Sequence, residues 1–195
     1  MIPLLCAAMM VASFPSSSWG DVVNNGPIFG TFTAGSFAPL GQTFVSVDLA
    51  INVIGLEMSI ANANQPAPPP ITFNLYDGEG VGGPLIASRT IPGPPDTFPM
   101  PPRFLTADFS GTTLSVGDSY TITVVDPTDY WGVSVTQDLY SGGSSVLCGT
   151  TSVGCFGFEP SQYDLKFEVL TTVPEPTSCW LLGSALAILL LNRPH

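Results

Sequence analysis

The sequence predicts an all-β fold for the body of this chain, residues 21–172, as an antiparallel two-sheet sandwich of jelly-roll-like form. Three observations predict it. Short runs rich in Val, Ile, Thr and aromatic residues are separated by Gly, Pro and Asp, which is the pattern of strands joined by turns. Several of these runs alternate apolar and polar residues with a period of two. No window of the body carries the 3.6-residue apolar period of a helix.

Eight runs of the body are predicted to be strands. In chain order they cover residues 41–47, 51–60, 71–76, 84–91, 103–109, 119–125, 130–136 and 163–170. A ninth candidate strand covers residues 28–33. The spacing of the turn signals between these runs fits a two-sheet sandwich.

Alternation is clearest in the last run. It places Tyr163, Leu165, Phe167 and Val169 on one face and Asp164, Lys166 and Glu168 on the other. A half-buried strand requires this pattern, so we expect the three charged residues to face water. The run 119–125 alternates in the same way, with Thr121 and Thr123 on its polar face.

Turn residues separate the predicted strands. Gly78, Gly80 and Gly117 supply the positive-φ positions that tight turns need. Two proline-rich segments, 66–70 and 92–102, are expected to be extended connections between strands. The second segment has an alternative interpretation, as a ligand for an aromatic groove on another protein.

The charge of the chain excludes some partners. Asp and Glu total 15 against 4 Lys and Arg, which gives a net charge of −11. Because nucleic-acid binding needs clustered cations to neutralise phosphates, we expect no nucleic-acid partner. Anionic lipid surfaces are disfavoured for the same reason.

The N-terminal residues 1–20 are predicted to be a secretory signal peptide. Residues 2–12 supply an apolar core, and Ser18 and Gly20 are small residues at the two positions that a signal peptidase recognises. We therefore expect cleavage between Gly20 and Asp21, after export by the Sec machinery.

The C-terminal residues 173–195 have three parts in order. Val173, Pro174, Glu175 and Pro176 form a stiff, extended acidic motif. Residues 177–191 carry no charge, and Arg193 follows them. As a helix, the fifteen uncharged residues would extend about 22 Å, against about 30 Å of bilayer hydrocarbon. We predict a short transmembrane helix there.

This order of parts resembles the PEP-CTERM sorting signal of exported bacterial proteins: a Pro-Glu-Pro motif, a hydrophobic helix and a basic tail. The resemblance implies recognition by an exosortase, a membrane-embedded cysteine transpeptidase-like enzyme, and removal of the helix at or near the motif. A permanent single-span tail anchor is the alternative interpretation of residues 177–191.

The body resembles the choice-of-anchor group of exported bacterial β-sandwich domains. The resemblance lies in the opening strand at 41–44 (GQTF), the turn at 75–78 (LYDG), the segment 119–124 (SYTITV) and the closing segment 163–169 (YDLKFEV). It implies a sandwich that precedes a sorting signal, and it brings no known activity with it.

Two of the four cysteines lie in the body. Cys148 and Cys155 are seven positions apart in a Gly-containing loop, and in an oxidising compartment we expect them to form a disulfide. His195, at the C-terminal end, is the only histidine of the chain. A zinc site of the Cys/His type is therefore not expected.

The same lack of histidine in the body removes the usual acid–base catalyst from it. Paired carboxylates, Asp77 with Glu79 or Asp126 with Asp129, are the remaining candidates for hydrolytic chemistry. Both pairs lie in turn sequences, where acidic residues serve turn geometry. We therefore predict no catalytic residues and no enzyme activity.

No cofactor is predicted, although calcium is the credible ligand for acidic loop residues, and its candidates are Asp126 and Asp129. Tyr130, Trp131 and Tyr140 are the candidates for a sugar-stacking surface, with a core position as the alternative.

Together these observations predict an exported, non-enzymatic protein of the outer surface or extracellular matrix of a Gram-negative-type bacterium. Its expected partners are the Sec machinery, an exosortase, the membrane through the C-terminal helix, and exopolysaccharide. The alternative is a carbohydrate-binding or adhesion module of the exopolysaccharide matrix. A carboxylate-based glycoside hydrolase is the third hypothesis.

Overall fold

A computed structural model of the protein describes residues 21–62, 68–95, 100–149 and 156–171. Within these ranges the chain forms twelve strands and one 3-10 turn, Pro160–Gln162. The strands are β1 (Val22–Asn24), β2 (Gly30–Thr33), β3 (Leu40–Val45), β4 (Ala50–Ile60), β5 (Ile71–Asp77), β6 (Leu85–Ile91), β7 (Arg103–Thr113), β8 (Ser119–Val125), β9 (Trp131–Gln137), β10 (Ser145–Val146), β11 (Tyr163–Leu165) and β12 (Phe167–Thr171).

The strands form two antiparallel sheets. The seven-stranded sheet has the order β1-β12-β4-β9-β11, with β2 paired to β9 and β7 paired to β4. The five-stranded sheet has the order β10-β3-β8-β5-β6. This arrangement confirms the predicted all-β antiparallel sandwich.

The core contains the largest apolar side chains of the described residues. Trp131, Phe44, Phe73, Phe109 and Phe167 are all fully buried. They come from strands of both sheets, so each sheet buries one apolar face against the other. Complete burial of one such side chain contributes about 1.5–3 kcal/mol to folding.

All nine predicted strands are present, with ends that shift by a few residues. Two strands were not predicted, β1 with 3 residues and β10 with 2 residues. They are too short to show a period-two pattern, and their pairing with β12 and β3 defines them as strands.

The last predicted run is two strands rather than one. β11 pairs with β9, whereas β12 pairs with β4 and β1. Lys166 lies at the junction, where its N–H donates to Ser134 O at 2.9 Å and its carbonyl accepts from Glu57 N at 2.9 Å. The chain changes its partner strand at this residue. One continuous period-two pattern in the sequence therefore spans two strands that pair with different neighbours.

The expectation that the charged face of this run meets water is wrong for two of its three residues. Asp164 is fully buried. The Lys166 side chain is 13% exposed and lies 2.7 Å from Glu57 in an ion pair, while Glu168 is half-buried. Gln42 of β3 and the loop after β9 cover Asp164, and Glu57 of β4 lies against Lys166.

Thr121 and Thr123 also depart from prediction, because both are fully buried. The turn between β5 and β6 covers Thr121. Thr121 Oγ1 accepts a hydrogen bond from Gly80 N at 2.8 Å and donates to Gly78 O at 2.8 Å. Gly78 and Gly80 have the predicted positive φ, at 80° and 73°, and these values bring their backbone over the threonine.

The first and last strands of the described body are neighbours. Val22 pairs with Val169, and Thr171 N donates to Asp21 Oδ1 at 3.1 Å. Both ends of the body therefore leave from the same side of the seven-stranded sheet.

The predicted signal peptide (residues 1–20), the motif at 173–176, the predicted helix 177–191 and Arg193 lie outside the described residues. Within the described ranges, no helix is long and apolar enough to cross a membrane.

Candidate functional site

Six aromatic rings form one continuous cluster beside the edge strand β2. We call it the aromatic cluster, and its members are Phe29, Phe32, Phe37, Phe156, Phe158 and Tyr163. Their ring centroids are linked by distances from 4.6 Å, between Phe32 and Phe37, to 5.9 Å, between Phe158 and Tyr163. Two members are largely exposed, Phe29 at 59% and Phe156 at 70%, whereas Phe37, Phe158 and Tyr163 are half-buried.

Three segments of the chain build the cluster. Phe32 lies in β2 opposite Val133 and points into the core, where it is 6% exposed. Phe37 follows in the turn after β2, fixed by its N–H donating to Thr33 O at 3.2 Å. The buried Phe32 ring thus anchors the rings that lie nearer the surface.

Phe158 and Tyr163 complete the network from the other side of the cluster. Phe158 contacts Phe32 edge-on at 5.0 Å, and Tyr163 contacts Phe29 at 5.4 Å. Edge-to-face ring pairs add about 0.5–1.5 kcal/mol each beyond the burial of their area. Phe29 thus packs against Tyr163 and Phe156 against Phe37, so each exposed ring has a half-buried aromatic partner.

Carboxylates border the cluster. Glu159 follows Phe158 directly and is exposed. Asp138 is also exposed, and its N–H donates to Gln162 O at 3.2 Å, beside Tyr163. Asp129 accepts hydrogen bonds from the N–H and hydroxyl of Ser36, the residue before Phe37.

The three cations of the body lie on other parts of the sandwich. Lys166 pairs with Glu57, Arg89 Nε donates to Asp108 O at 2.9 Å, and Arg103 begins β7. The cluster is thus an apolar surface whose neighbours along the chain include exposed acidic residues.

The residues predicted to stack on sugars are not the exposed ones. Trp131 is fully buried and Tyr130 is 3% exposed. Their rings contact each other at 4.9 Å, and Trp131 Nε1 donates to Pro69 O at 3.1 Å. The interpretation of these two residues as a surface platform is wrong, because β9 lies inside the seven-stranded sheet.

Tyr140 has a structural position as well. Its ring packs edge-on against Phe167 at 5.1 Å, and its hydroxyl accepts a hydrogen bond from Val45 N at 3.1 Å. Burial raises the pKa of the Tyr140 hydroxyl. This side chain fastens the loop after β9 to the end of β3.

The calcium candidates are engaged in their own loops. Asp126 is 1% exposed and accepts hydrogen bonds from Thr128 N at 2.9 Å and Trp131 N at 2.7 Å. Asp129 has φ 56° and holds Ser36. Among the described residues, no three His, Cys, Asp or Glu side chains are grouped to hold a metal ion. Calcium binding stays a prediction.

Asp77 and Glu79, the other carboxylate pair, lie exposed at the end of β5 and in the turn after it. Asp77 N donates to Pro84 O at 2.9 Å and closes that turn. This hydrogen bond and the positive φ of Gly78 and Gly80 fit the interpretation of Asp77 and Glu79 as turn residues.

Asp164 is a buried charge that the sequence analysis missed. Its Oδ2 accepts from Leu139 N at 2.8 Å and Tyr140 N at 2.7 Å, and its Oδ1 accepts from Gln42 Nε2 at 2.9 Å. Burial raises the pKa of Asp164. The three hydrogen bonds lower this pKa, but burial has the larger effect. In the sequence, Asp164 is one of three charged residues that alternate with apolar ones, a pattern that predicted an exposed side chain.

Cys148 lies in the turn after β10 with φ 53°, and its N–H donates to Phe37 O at 3.0 Å. Its predicted partner Cys155 is outside the described residues, so the disulfide stays a prediction. The sorting motif (Val173, Pro174, Glu175, Pro176 and Arg193) is also outside them.

The aromatic cluster left one signal in the sequence. Phe29, Phe32 and Phe37 fall within nine residues, and Phe156 and Phe158 follow a Gly-containing loop much later. Only the fold brings the two groups together. No protein-family model and no curated protein matches the chain.

Proposed function

We propose that this protein is an exported, non-enzymatic protein of the outer surface or extracellular matrix of a Gram-negative-type bacterium. It is sorted through residues 173–195 and processed by an exosortase. The observation that carries the proposal is the order of Pro174-Glu175-Pro176, the uncharged residues 177–191 and Arg193, directly after the last core strand. That strand, β12, ends at Thr171, so the processing motif begins two residues beyond it.

The proposal includes the two end segments. Residues 1–20 direct export through the Sec machinery and are removed before Asp21. Residues 177–191 form a short transmembrane helix that holds the chain in the membrane until processing. The adjacent positions of Asp21 and Thr171 support this arrangement, since they let one side of the body face the membrane while both segments are attached.

We also assign the sandwich to the jelly-roll-like class. From β6 to β11 the chain alternates between the two sheets at every strand. Such alternation is typical of paired Greek keys.

The positions of the acidic side chains support a role without catalysis. Asp126, Asp129 and Asp164 each accept hydrogen bonds from neighbouring loop backbone, so these carboxylates stabilise the fold. Residues 173–195, rather than a cleft in the body, carry the specific chemistry of the proposal.

Processing can be tested by intact-mass measurement of the protein from the cell surface. The host should contain an exosortase, and an otherwise identical host should lack it. We expect the mature form to begin at Asp21 in both hosts. Only in the host with an exosortase should it also have lost the C-terminal residues through His195. Glu175→Gln should slow processing. Glu159→Gln is the matched control, because Glu159-Pro160 is the same dipeptide inside the body.

Retention of His195 at equal levels in both hosts would contradict the proposal. Equal processing of the Glu175→Gln variant and the wild type would contradict the assignment of the motif.

A further inference from the structure

Three exposed aliphatic side chains lie in two turns at one end of the sandwich. Val47 is 41% exposed, Leu49 is 54% exposed and Val116 is 52% exposed. Val47 and Leu49 belong to the turn between β3 and β4, and Val116 belongs to the turn between β7 and β8. We call these three side chains the apolar tip. Grouped apolar side chains mark contact surfaces, whereas single exposed ones are normal.

Backbone hydrogen bonds hold the two turns of the apolar tip against each other. Gly117 N donates to Ser46 O at 2.8 Å. This bond brings the peptide between residues 46 and 47 against the peptide between residues 116 and 117. Leu114 N donates to Leu49 O at 2.8 Å, which ties Leu49 to the same turn. The three side chains are therefore carried by adjoining backbone.

The apolar tip lies at the end of the sandwich where both termini of the body leave. Leu49 directly precedes β4, and Ile51, the second residue of that strand, pairs with Thr171 at the end of β12. Thr171 N in turn donates to Asp21 Oδ1 at 3.1 Å. The C-terminal segment therefore leaves the body beside the tip, and the N-terminal segment joins it next to the same place.

The proposed C-terminal helix would bring this end of the body to the membrane surface. Only residues 172–176 connect Thr171 to the uncharged segment 177–191, and a fully extended connection from Thr171 to residue 177 spans at most about 20 Å. The headgroup region takes up roughly 5–8 Å of that distance on each side of the bilayer. The helix, at about 22 Å, is also shorter than about 30 Å of hydrocarbon, which favours drawing its flanking residues inward.

Charge selects the kind of membrane surface that fits this end. Asp21 and Asp118 are exposed here, and the turn residues 46–49 and 114–118 include no Lys or Arg. The three cations of the body lie in β6, in β7 opposite Met58, and at the junction of β11 and β12. Because cations are what attract a protein to anionic lipid, the contact of the tip is apolar and suits a zwitterionic surface.

We propose that the apolar tip inserts into the interface of a zwitterionic phospholipid bilayer while the C-terminal segment is attached. Val47, Leu49 and Val116 leave water for the boundary between headgroups and acyl chains, which is favourable for aliphatic side chains. The contact orients the body with the opposite ends of its strands away from the membrane. This inference rests on the proposed function, because residues 177–191 hold the tip at the bilayer.

The test uses the chain from Asp21 to His195 in phosphatidylcholine vesicles. Val116→Cys and Val125→Cys, each in a Cys179→Ser background, carry an environment-sensitive fluorophore attached without a reductant. The Cys179→Ser chain alone measures any labelling of the other cysteines. Val125 is the matched control, because it is 38% exposed and ends β8, which begins beside the tip. At about 3.3 Å per residue the two ends of β8 are about 20 Å apart.

We expect a blue-shifted emission at position 116 that spin-labelled lipid quenches, and little quenching at position 125. Leu49→Asp should greatly reduce the quenching at position 116, because it places a charge in the apolar tip. Val125→Asp places the same charge at the other end of β8 and should leave the quenching unchanged. Circular dichroism and thermal unfolding will show that each variant is folded.

Resistance to carbonate extraction tests the membrane helix of the proposed function separately. A chain that resists extraction but is quenched equally at positions 116 and 125 would overturn the inference and leave the helix in place. A blue shift at position 116 without quenching by lipid would also overturn it, since residues 177–191 or a second copy would then cover the tip. Stronger quenching in phosphatidylglycerol vesicles would overturn the preference for zwitterionic lipid. A chain that carbonate extracts would contradict the membrane helix itself.

Discussion

Gln42 joins the two sheets by a direct side-chain contact with Asp164, at 2.9 Å between Gln42 Nε2 and Asp164 Oδ1. Gln42 lies in β3 of the five-stranded sheet, and Asp164 lies in β11 of the seven-stranded sheet. Gln42 Oε1 also accepts from Leu165 N at 2.9 Å. Both ends of the amide are therefore paired inside the sandwich, and the other carboxylate oxygen holds the loop after β9.

Asp164→Asn should lower the free energy of unfolding by about 1–3 kcal/mol, because it leaves a buried donor facing another donor. One amide oxygen can serve the loop N–H groups of Leu139 and Tyr140 or the side chain of Gln42, but not both. Urea denaturation measures the change. A loss well below 1 kcal/mol would mean that the contact contributes little.

The double variant Gln42→Glu with Asp164→Asn should recover at least half of that loss. The exchange moves the carboxylate to position 42 in β3, where it accepts hydrogen bonds from Leu165 N and from the NH2 group of the amide introduced at position 164. The oxygen of that amide then accepts hydrogen bonds from Leu139 N and Tyr140 N. Gln42→Glu alone should be the least stable variant, since it places two carboxylates together. Strict additivity of the two single changes would contradict this pairing.

Stability should fall as pH rises from the unfolded pKa of Asp164, about 3.9, to its raised folded pKa. Burial raises this pKa, so in that range the folded protein binds more protons than the unfolded chain. Glu168 contributes with the same sign, because burial and then Asp21 raise its pKa. Asp108 contributes with the opposite sign, because hydrogen bonds from Ser110 lower its pKa.

Urea midpoints from about pH 3 to about pH 7 will separate these contributions. Asp164→Asn should remove the fall assigned to Asp164, and Glu168→Gln is the comparison. An unchanged pH profile in the Asp164→Asn variant would assign the dependence to other groups.

Trp131→Ala should destabilise the protein by about 3–5 kcal/mol, because it empties a fully buried position in β9. Phe156→Ala is the matched aromatic control, since Phe156 is 70% exposed and should change stability far less. Thermal unfolding of the two variants checks the contrast. Similar losses in both would place Trp131 outside the core.

Cys148→Ser with Cys155→Ser should lower the free energy of unfolding by about 2–3 kcal/mol if the predicted disulfide forms. Intact mass after alkylation without a reductant will count the free thiols in the secreted wild type. Two alkylated thiols in the body would contradict the disulfide.

Local patterns predicted the strands well and the polar interior poorly. A period-two pattern reports which residues share a face, as in Ile71, Phe73 and Leu75 of β5, which are all buried. It cannot report whether the second face is covered. Asp164 and Thr121 are buried because Gln42 and the turn at Gly78–Gly80 lie against them, and these contacts join residues far apart in sequence.

The candidate site was missed for the same reason. Trp131 is, by residue type, a typical sugar-stacking residue. It is buried because its strand β9 lies among β4, β11 and β2 in the seven-stranded sheet. The exposed rings are Phe29, directly before the edge strand β2, and Phe156, in a late loop. Their separation in sequence hides a surface that only the pairing of β2 and β11 with β9 creates.

The position of β12 between β1 and β4 has a consequence for the order of folding. In a chain that emerges from a narrow channel N-terminus first, β1 waits without a partner while residues 25–166 follow it. The sandwich cannot close until its final strand has passed through. The topology therefore makes completion of the seven-stranded sheet a late step that waits for the last strand of the body.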